Sequence, residues 1–302
     1  MSLLAVGSVA FDAIETPFGK VERTLGGAAS YFALAASHFT PVRIVAIVGD
    51  DFGARERVIF RGRRIDLAGL EQVPGKSFFW SGRYNQNMNE RVTLATELNV
   101  FAGFRPKLPE SYLDSSFIFL GNIQPTLQLS VLKQIRRKPA LVGLDTMNYW
   151  IERTPADLRE TLKHIDVLVI NDDETRQLTR EHNLTRAAHK IFKMGPRILV
   201  IKRGEHGALL VHSKFLFAVP AFPLEEVRDP TGAGDAFAGG FMGYLASAGR
   251  VNEKTLRCAM VYGSVLGSFT VERFGIERLL KLSRKEISAR ARRFSHLTSF
   301  QL

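Results

Sequence analysis

The stretch Asp229–Met242, DPTGAGDAFAGGFM, gathers the residue types from which an anion site and a proton acceptor can be built. Pro230 and the glycines mark a turn, and from Ala233 the pattern AGDAFAGGFMGYLASA reads as a helix in which Gly239, Gly240 and Gly243 let a neighbour approach closely. Gly232, Ala233 and Gly234 therefore fall at a helix N-terminus. Unpaired backbone N–H groups and the positive end of the helix dipole hold anions there, and small residues let a phosphate reach them. Asp235 falls in the first turn. A carboxylate beside an anion hole is electrostatically costly unless it has chemistry to do. The natural chemistry is to accept a proton from an attacking hydroxyl while the amides stabilise charge on a phosphoryl group in transfer. A Gly-rich turn before a helix also serves as a plain tight connection, and this segment alone leaves both readings open.

The run from Asp229 to Met242 is similar, without a gap, to the signature of the ribokinase-like (PfkB) family of carbohydrate and nucleoside kinases. The resemblance continues in order along nearly the whole chain. VGSVAFD ends the first strand with Asp12, and LGGAASYFALAASHF resembles the paired-glycine substrate motif leading into a helix. The resemblance implies that Asp12 grips sugar hydroxyls and that the backbone of Gly26 and Gly27 lies against the sugar; a loop cap and a helix-entry turn are the plainer readings. GDDFG (Gly49 to Gly53) is also typical of the family and receives no chemistry. INDDE, after a buried strand, matches the family's Asn-x-x-Glu motif, so Asn171 and Glu174 are expected to organise magnesium and its waters near the phosphates. Read alone, the segment makes an N-terminal helix cap at Asn171 or Asp172 with acids in the first turn. KRGEHGALLV resembles the loop that covers the nucleotide, with Gly204 and Gly207 in place and Lys202 where a threonine is common. Asp229 and Thr231 are expected to contribute to a monovalent-cation (K+) site, as in some relatives.

The implied activity is ATP- and Mg2+-dependent transfer to a primary hydroxyl, with Asp235 as base and Gly232–Gly234 as the anion hole. Tyr31, where many sugar kinases carry asparagine, and Asn122, after the Phe117 strand, are candidates to line a nucleoside pocket. DTMNYWIE departs from the DxNxR arrangement of sugar-phosphate kinases. The expectation is the 5′-OH of a purine nucleoside, with a free pentose or hexose as the alternative and a non-catalytic nucleoside- or sugar-sensing protein as the reading from another class.

Short apolar runs must position these groups. LLAVGSV, VRIVAIVG, FIFLG, ALVGLD, DVLVI and RILVIK read as strands covered on both faces, each followed by a candidate helix. That alternation predicts an α/β fold with a doubly wound, mostly parallel sheet flanked by helices, in one ribokinase-like domain over residues 1–302. FFWSGRY and RVTLATE alternate in character around a turn-like Asn85–Glu90 and predict an antiparallel hairpin. With the polar segment Glu15–Thr24 it forms a small β lid, about residues 13–24 and 77–98. Its exposed aromatics then cover a ligand or a second copy, giving a monomer or a homodimer through the lid.

The 302 residues carry a net charge of +11, 45% apolar residues and the single Cys258. A chain of this length buries a large core without disulfides or structural metal, and a lone cysteine fits a reducing compartment; the cytoplasm is the default. The N-terminus has no signal-peptide pattern and no run reaches the ~20 apolar residues of a membrane span. The segment from Lys281 to Arg293 carries +5 of the charge and reads as a solvated helix face, so nucleic acid is not an expected partner. Gly75-Lys76-Ser77 lacks the upstream glycine of a P-loop, Phe237 stands where a dinucleotide fold needs glycine, and the seven scattered histidines exclude a zinc cluster.

Overall fold

The computed structural model describes residues 2–299. In them the strands follow as β1 (Leu3–Val6), β2 (Ala10–Thr16), β3 (Gly19–Gly26), β4 (Val42–Val48), β5 (Ile65–Gln72), β6 (Phe78–Tyr84) and β7 (Arg91–Glu97). Then come β8 (Phe117–Leu120), β9 (Leu141–Asp145), β10 (Val167–Asn171), β11 (Ile198–Lys202), β12 (Ala208–His212) and β13 (Phe215–Val219). They form a nine-stranded sheet of order β13-β12-β11-β10-β9-β8-β1-β4-β5 and a four-stranded sheet of order β3-β2-β6-β7.

The large sheet is parallel from β5 to β11, because its strands are apolar on both faces and helices cover both. Alternate residues of one strand enter different cores. Val167 and Val169 join the cluster beneath the helices Ala28–Ala36, Ala233–Ala248 and Glu253–Thr270. Leu168 and Ile170 join the opposite cluster, with Leu158, Leu162 and Ile191 from helices on that side. The strand-helix rhythm fails three times, one of them at β5, which runs directly into β6 and β7 of the small sheet. β1 leads into the small sheet, which places Asp12 on β2 rather than at the end of the first strand. β11 leads into the antiparallel β12 and β13. Gly207, at φ 83°, turns the chain back there, and a Cβ on it would lie 2.1 Å from the Val219 carbonyl oxygen.

The glycines of the Ala233–Ala248 helix act as the pattern requires. A Cβ on Gly239 would stand 2.3 Å from the Phe32 carbonyl, and one on Gly240 2.7 Å from that of Tyr262, so the helix is gripped on two sides. The basic C-terminal segment is partly structural: Arg290 ion-pairs with Glu272 and lies 3.5 Å over the Phe269 ring. Among the described residues no helix is long and apolar enough to cross a membrane.

Candidate active site

The site opens at the C-terminal ends of the parallel strands, where an open α/β sheet presents free backbone groups and loops. Gly232 is the N-cap of the Ala233–Ala248 helix at φ 74°, a left-handed conformation that turns Asp229–Thr231 directly into the helix. The Ala233 amide donates to the Pro230 carbonyl at 3.2 Å. This corrects the expectation that Ala233 supplies an anion-hole donor. The amides of Gly234 and Asp235, in the first turn, have no acceptor within the helix by position. Asp235 follows directly, with its carboxyl pushed up to about 7 by burial and by the Asp145 carboxylate, against the opposing pull of Lys202 and Arg91.

Asp12 faces the same cleft. Its carboxylate lies over the backbone of Gly26, where a Cβ would come within 2.0 Å of Oδ2, and it accepts the Gly27 amide. Burial, then Asp229 and Asp235, raise it to about 7. Gly27 caps the Ala28–Ala36 helix 2.5 Å, measured from an added Cβ, from the Ser8 carbonyl, so the paired glycines fit chain against chain with no room for side chains.

Asn171 and Glu174 form the reciprocal cap of the Asp172–Thr179 helix: Asn171 Oδ1 accepts the Glu174 amide at 2.7 Å and Glu174 Oε2 accepts the Asn171 amide at 2.9 Å. The cap leaves Glu174 Oε1 open. Burial, with Asp145 adding to it and Lys202 opposing, raises the Glu174 carboxyl to about 7. An open carboxylate oxygen beside Asn171 suits a water-clad magnesium, which needs one or two protein groups beside phosphate oxygens. Among the described residues no group of three or more His, Cys, Asp or Glu forms a closed metal cage.

Three further candidates have their side chains engaged within the fold. Tyr31 is 1% exposed, with its ring packed beneath Gly232 and its hydroxyl unpartnered, so it supports the anion loop from below and has no face free for a base. Asp229 is fully buried, and its two oxygens accept the amides of Thr231 (2.8 Å) and Gly275 (2.7 Å), so its side chain clamps two loops. Asn122 spends its amide inside the fold, accepting from Trp150 Nε1 at 2.9 Å and donating to Met147 Sδ at 3.1 Å.

The small sheet lies across this cleft. Trp80 pairs in register with Asp12, so the two side chains share a face, and the indole lies flat over Gly82 with the Arg91 guanidinium 5.8 Å from it. Tyr84, on the same face, accepts a hydrogen bond from the Thr231 hydroxyl at 3.1 Å. At the hairpin tip Asn89 donates to Glu205 in the Gly204–His206 turn at 3.3 Å. Both contacts tie the sheet to loops expected to hold phosphate and nucleotide.

Sequence reasoning missed Asp145 and Arg91. Asp145 ends β9 beside the strand that Asn171 ends, and Lys202 ends the next. Three buried apolar runs each closing on a polar group were the available signal. Nothing local marks Arg91, because its role depends on the fold of the hairpin over the cleft.

The model of the pfkB carbohydrate kinase family matches residues 2–281. A cytidine kinase of Thermococcus kodakarensis is 30% identical over 86% of this chain and 94% of its own length. A nucleoside kinase of Methanothermobacter thermautotrophicus is 25% identical over 91% of each. Among solved structures, the Burkholderia thailandensis nucleoside kinase in complex with inosine superposes with a TM-score of 0.76, at 20% identity, over 99% of this chain and 100% of that one. The Giardia lamblia ribokinase superposes at 0.81, with 18% identity, over 97% and 99%. Since the family model spans nearly the whole chain, the chain belongs to the pfkB family of carbohydrate kinases.

Proposed function

We propose that this protein transfers the γ-phosphoryl group of ATP to the 5′-hydroxyl of a nucleoside. The observation that carries the reading is the pairing of Asp235, raised to about 7, with the acceptor-free amides of Gly234 and its own residue. A base of that strength is poised to take a hydroxyl proton near neutral pH. The amides hold the oxygens of the phosphoryl group as it moves.

Asp12 binds ribose hydroxyls against Gly26 and Gly27, which brings the 5′-oxygen toward Asp235. The turn around Gly204 and Gly207 carries the nucleotide, and the small sheet acts as a lid that excludes water. Asn171 and Glu174 would hold the waters of a magnesium ion, which would neutralise phosphate charge when bound. The proton then passes from the 5′-hydroxyl to Asp235 as the oxygen attacks phosphorus, and ADP leaves with the bridging oxygen.

Nucleoside kinases among the relatives support a nucleoside acceptor over a free sugar. The sequence pointed to a purine; one relative, at 30% identity, is a cytidine kinase. Both bases therefore belong in the test. ADP release is followed with cytidine, inosine, adenosine, ribose and fructose: turnover confined to free sugars would replace the nucleoside reading, and none with any acceptor would sink the kinase reading.

A further inference from the structure

The cleft gathers the carboxyl groups of Asp12, Asp145, Glu174, Asp229 and Asp235, and the electrostatic influence of several of them reaches the others. A triphosphate adds more negative charge to that space. Helix amides contribute only partial charges, so a full positive charge built into the fold has a clear task.

Lys202 supplies one. Its ammonium nitrogen lies 3.3 Å from Asp145 Oδ2 and 3.1 Å from where a Cβ on Gly234 would stand. It thus sits at the mouth of the same helix whose Gly234 and Asp235 amides are free. Asp145 is held on two sides: Oδ1 accepts the Thr146 amide at 2.8 Å, and its main-chain carbonyl accepts from Gln128 Nε2 at 3.0 Å. The side chains of Lys202 and Asp145 are 19% and 8% exposed. Burial works against the ammonium, but Asp145, Glu174 and Asp235 outweigh it and hold its pKa above the usual lysine value.

A buried ion pair is poor evidence of a stabilising role, since apolar residues often replace such pairs at no loss. This one points into the reaction cleft instead of the core. We propose that Lys202 contacts the oxygens of the bound triphosphate at the Gly234 end of the helix, and that Asp145 is the positioning residue that holds its ammonium there. The inference rests on the phosphotransfer reading and is independent of which acceptor is used.

Four variants test it: Lys202→Met, Lys202→Arg, Asp145→Asn and the double variant Lys202→Met/Asp145→Asn. Each is measured for thermal midpoint, for kcat and KM of ATP, and for binding of a non-hydrolysable ATP analogue with Mg2+ by calorimetry. Lys202→Met should lose about 100-fold in kcat/KM for ATP, the scale of removing one donor to a developing oxyanion. It should also weaken analogue binding at least ~10-fold, as expected for losing a charge-assisted contact. Lys202→Arg, which keeps the charge, should recover part of both. The double variant leaves neither member of the Lys202–Asp145 pair without the other, so its thermal midpoint should exceed those of Lys202→Met and Asp145→Asn while its kcat/KM stays ~100-fold down. If activity returns together with stability in the double variant, the pair is structural and the proposal is overturned. Should the wild type phosphorylate no nucleoside, the function reading fails, yet the analogue titration still decides this one: equal affinity in wild type and Lys202→Met overturns it.

Discussion

Replacing Asp235 by Asn separates the cost of the site from its use. Asp235 titrates at about 7 in the folded protein, against an ordinary 3.8, chiefly through burial and then through Asp145. The folded state therefore binds this proton more tightly than the unfolded chain. Between pH 4 and 7 the unfolded chain gives the proton up first, so stability falls as pH rises through that window and stays low above it. The upper bound on the loss at pH 8 is about 4 kcal/mol. Water reaching the cleft and repulsion shared among several carboxyls reduce this to about 1–2 kcal/mol. Asparagine occupies the same space without the charge. The variant should melt about 2–6 °C higher than wild type at pH 8 and show little difference at pH 4, measured without nucleotide by scanning calorimetry. Its turnover should fall about 10²- to 10⁴-fold, the usual worth of a positioned general base. Wild-type kcat should rise with pH through about 7 as the base ionises. An Asn variant that turns over normally would remove Asp235 as the base; one that is less stable than wild type at pH 8 would refute the electrostatic account.

Gly239→Ala should destabilise the fold by about 1–3 kcal/mol, because the added Cβ would meet the Phe32 carbonyl at 2.3 Å, and a lower urea midpoint at unchanged slope is the signature; an unshifted midpoint would show that the helices slide apart freely. Glu174→Gln keeps an oxygen able to accept the Asn171 amide at the helix cap, so thermal stability should hold within about 1 kcal/mol while the Mg2+ concentration for half-maximal turnover rises several-fold. An identical Mg2+ dependence would assign Glu174 to capping alone.

What the sequence disclosed follows the range of the forces involved. The six strand runs and the Ala233 helix were readable because apolar burial on two faces, and glycine at a turn, leave marks within a few residues. The resemblance in Asp229–Met242 located the loop and the base. Errors arose where a side chain's fate depends on distant partners. Tyr31 looks available on the chain, yet the Gly232 turn closes over its ring. Asn122 looks like a ligand group, yet Trp150, 28 residues away, takes its oxygen. Asp229 is conspicuous in the motif, and its second partner is the amide of Gly275, 46 residues on. The sequence leaves the cap open between Asn171 and Asp172; the structure caps at Asn171 with Glu174 reaching back, and an open carboxylate oxygen remains because capping consumes one oxygen of two. The expected nucleotide loop KRGEHGALLV contains most of β12 but not β13, since the start of a short hairpin at a sheet edge carries the same glycines as a loop.

The acceptor panel tests the central claim most directly, provided that its product is identified. With ATP and Mg2+ at pH 8, wild-type protein should convert a nucleoside to its 5′-monophosphate, seen as phosphorus coupled to the two C5′ protons by NMR, with kcat/KM at least ~10-fold above that for ribose. ADP formed without an esterified primary hydroxyl, or phosphate placed on a secondary one, would contradict the account.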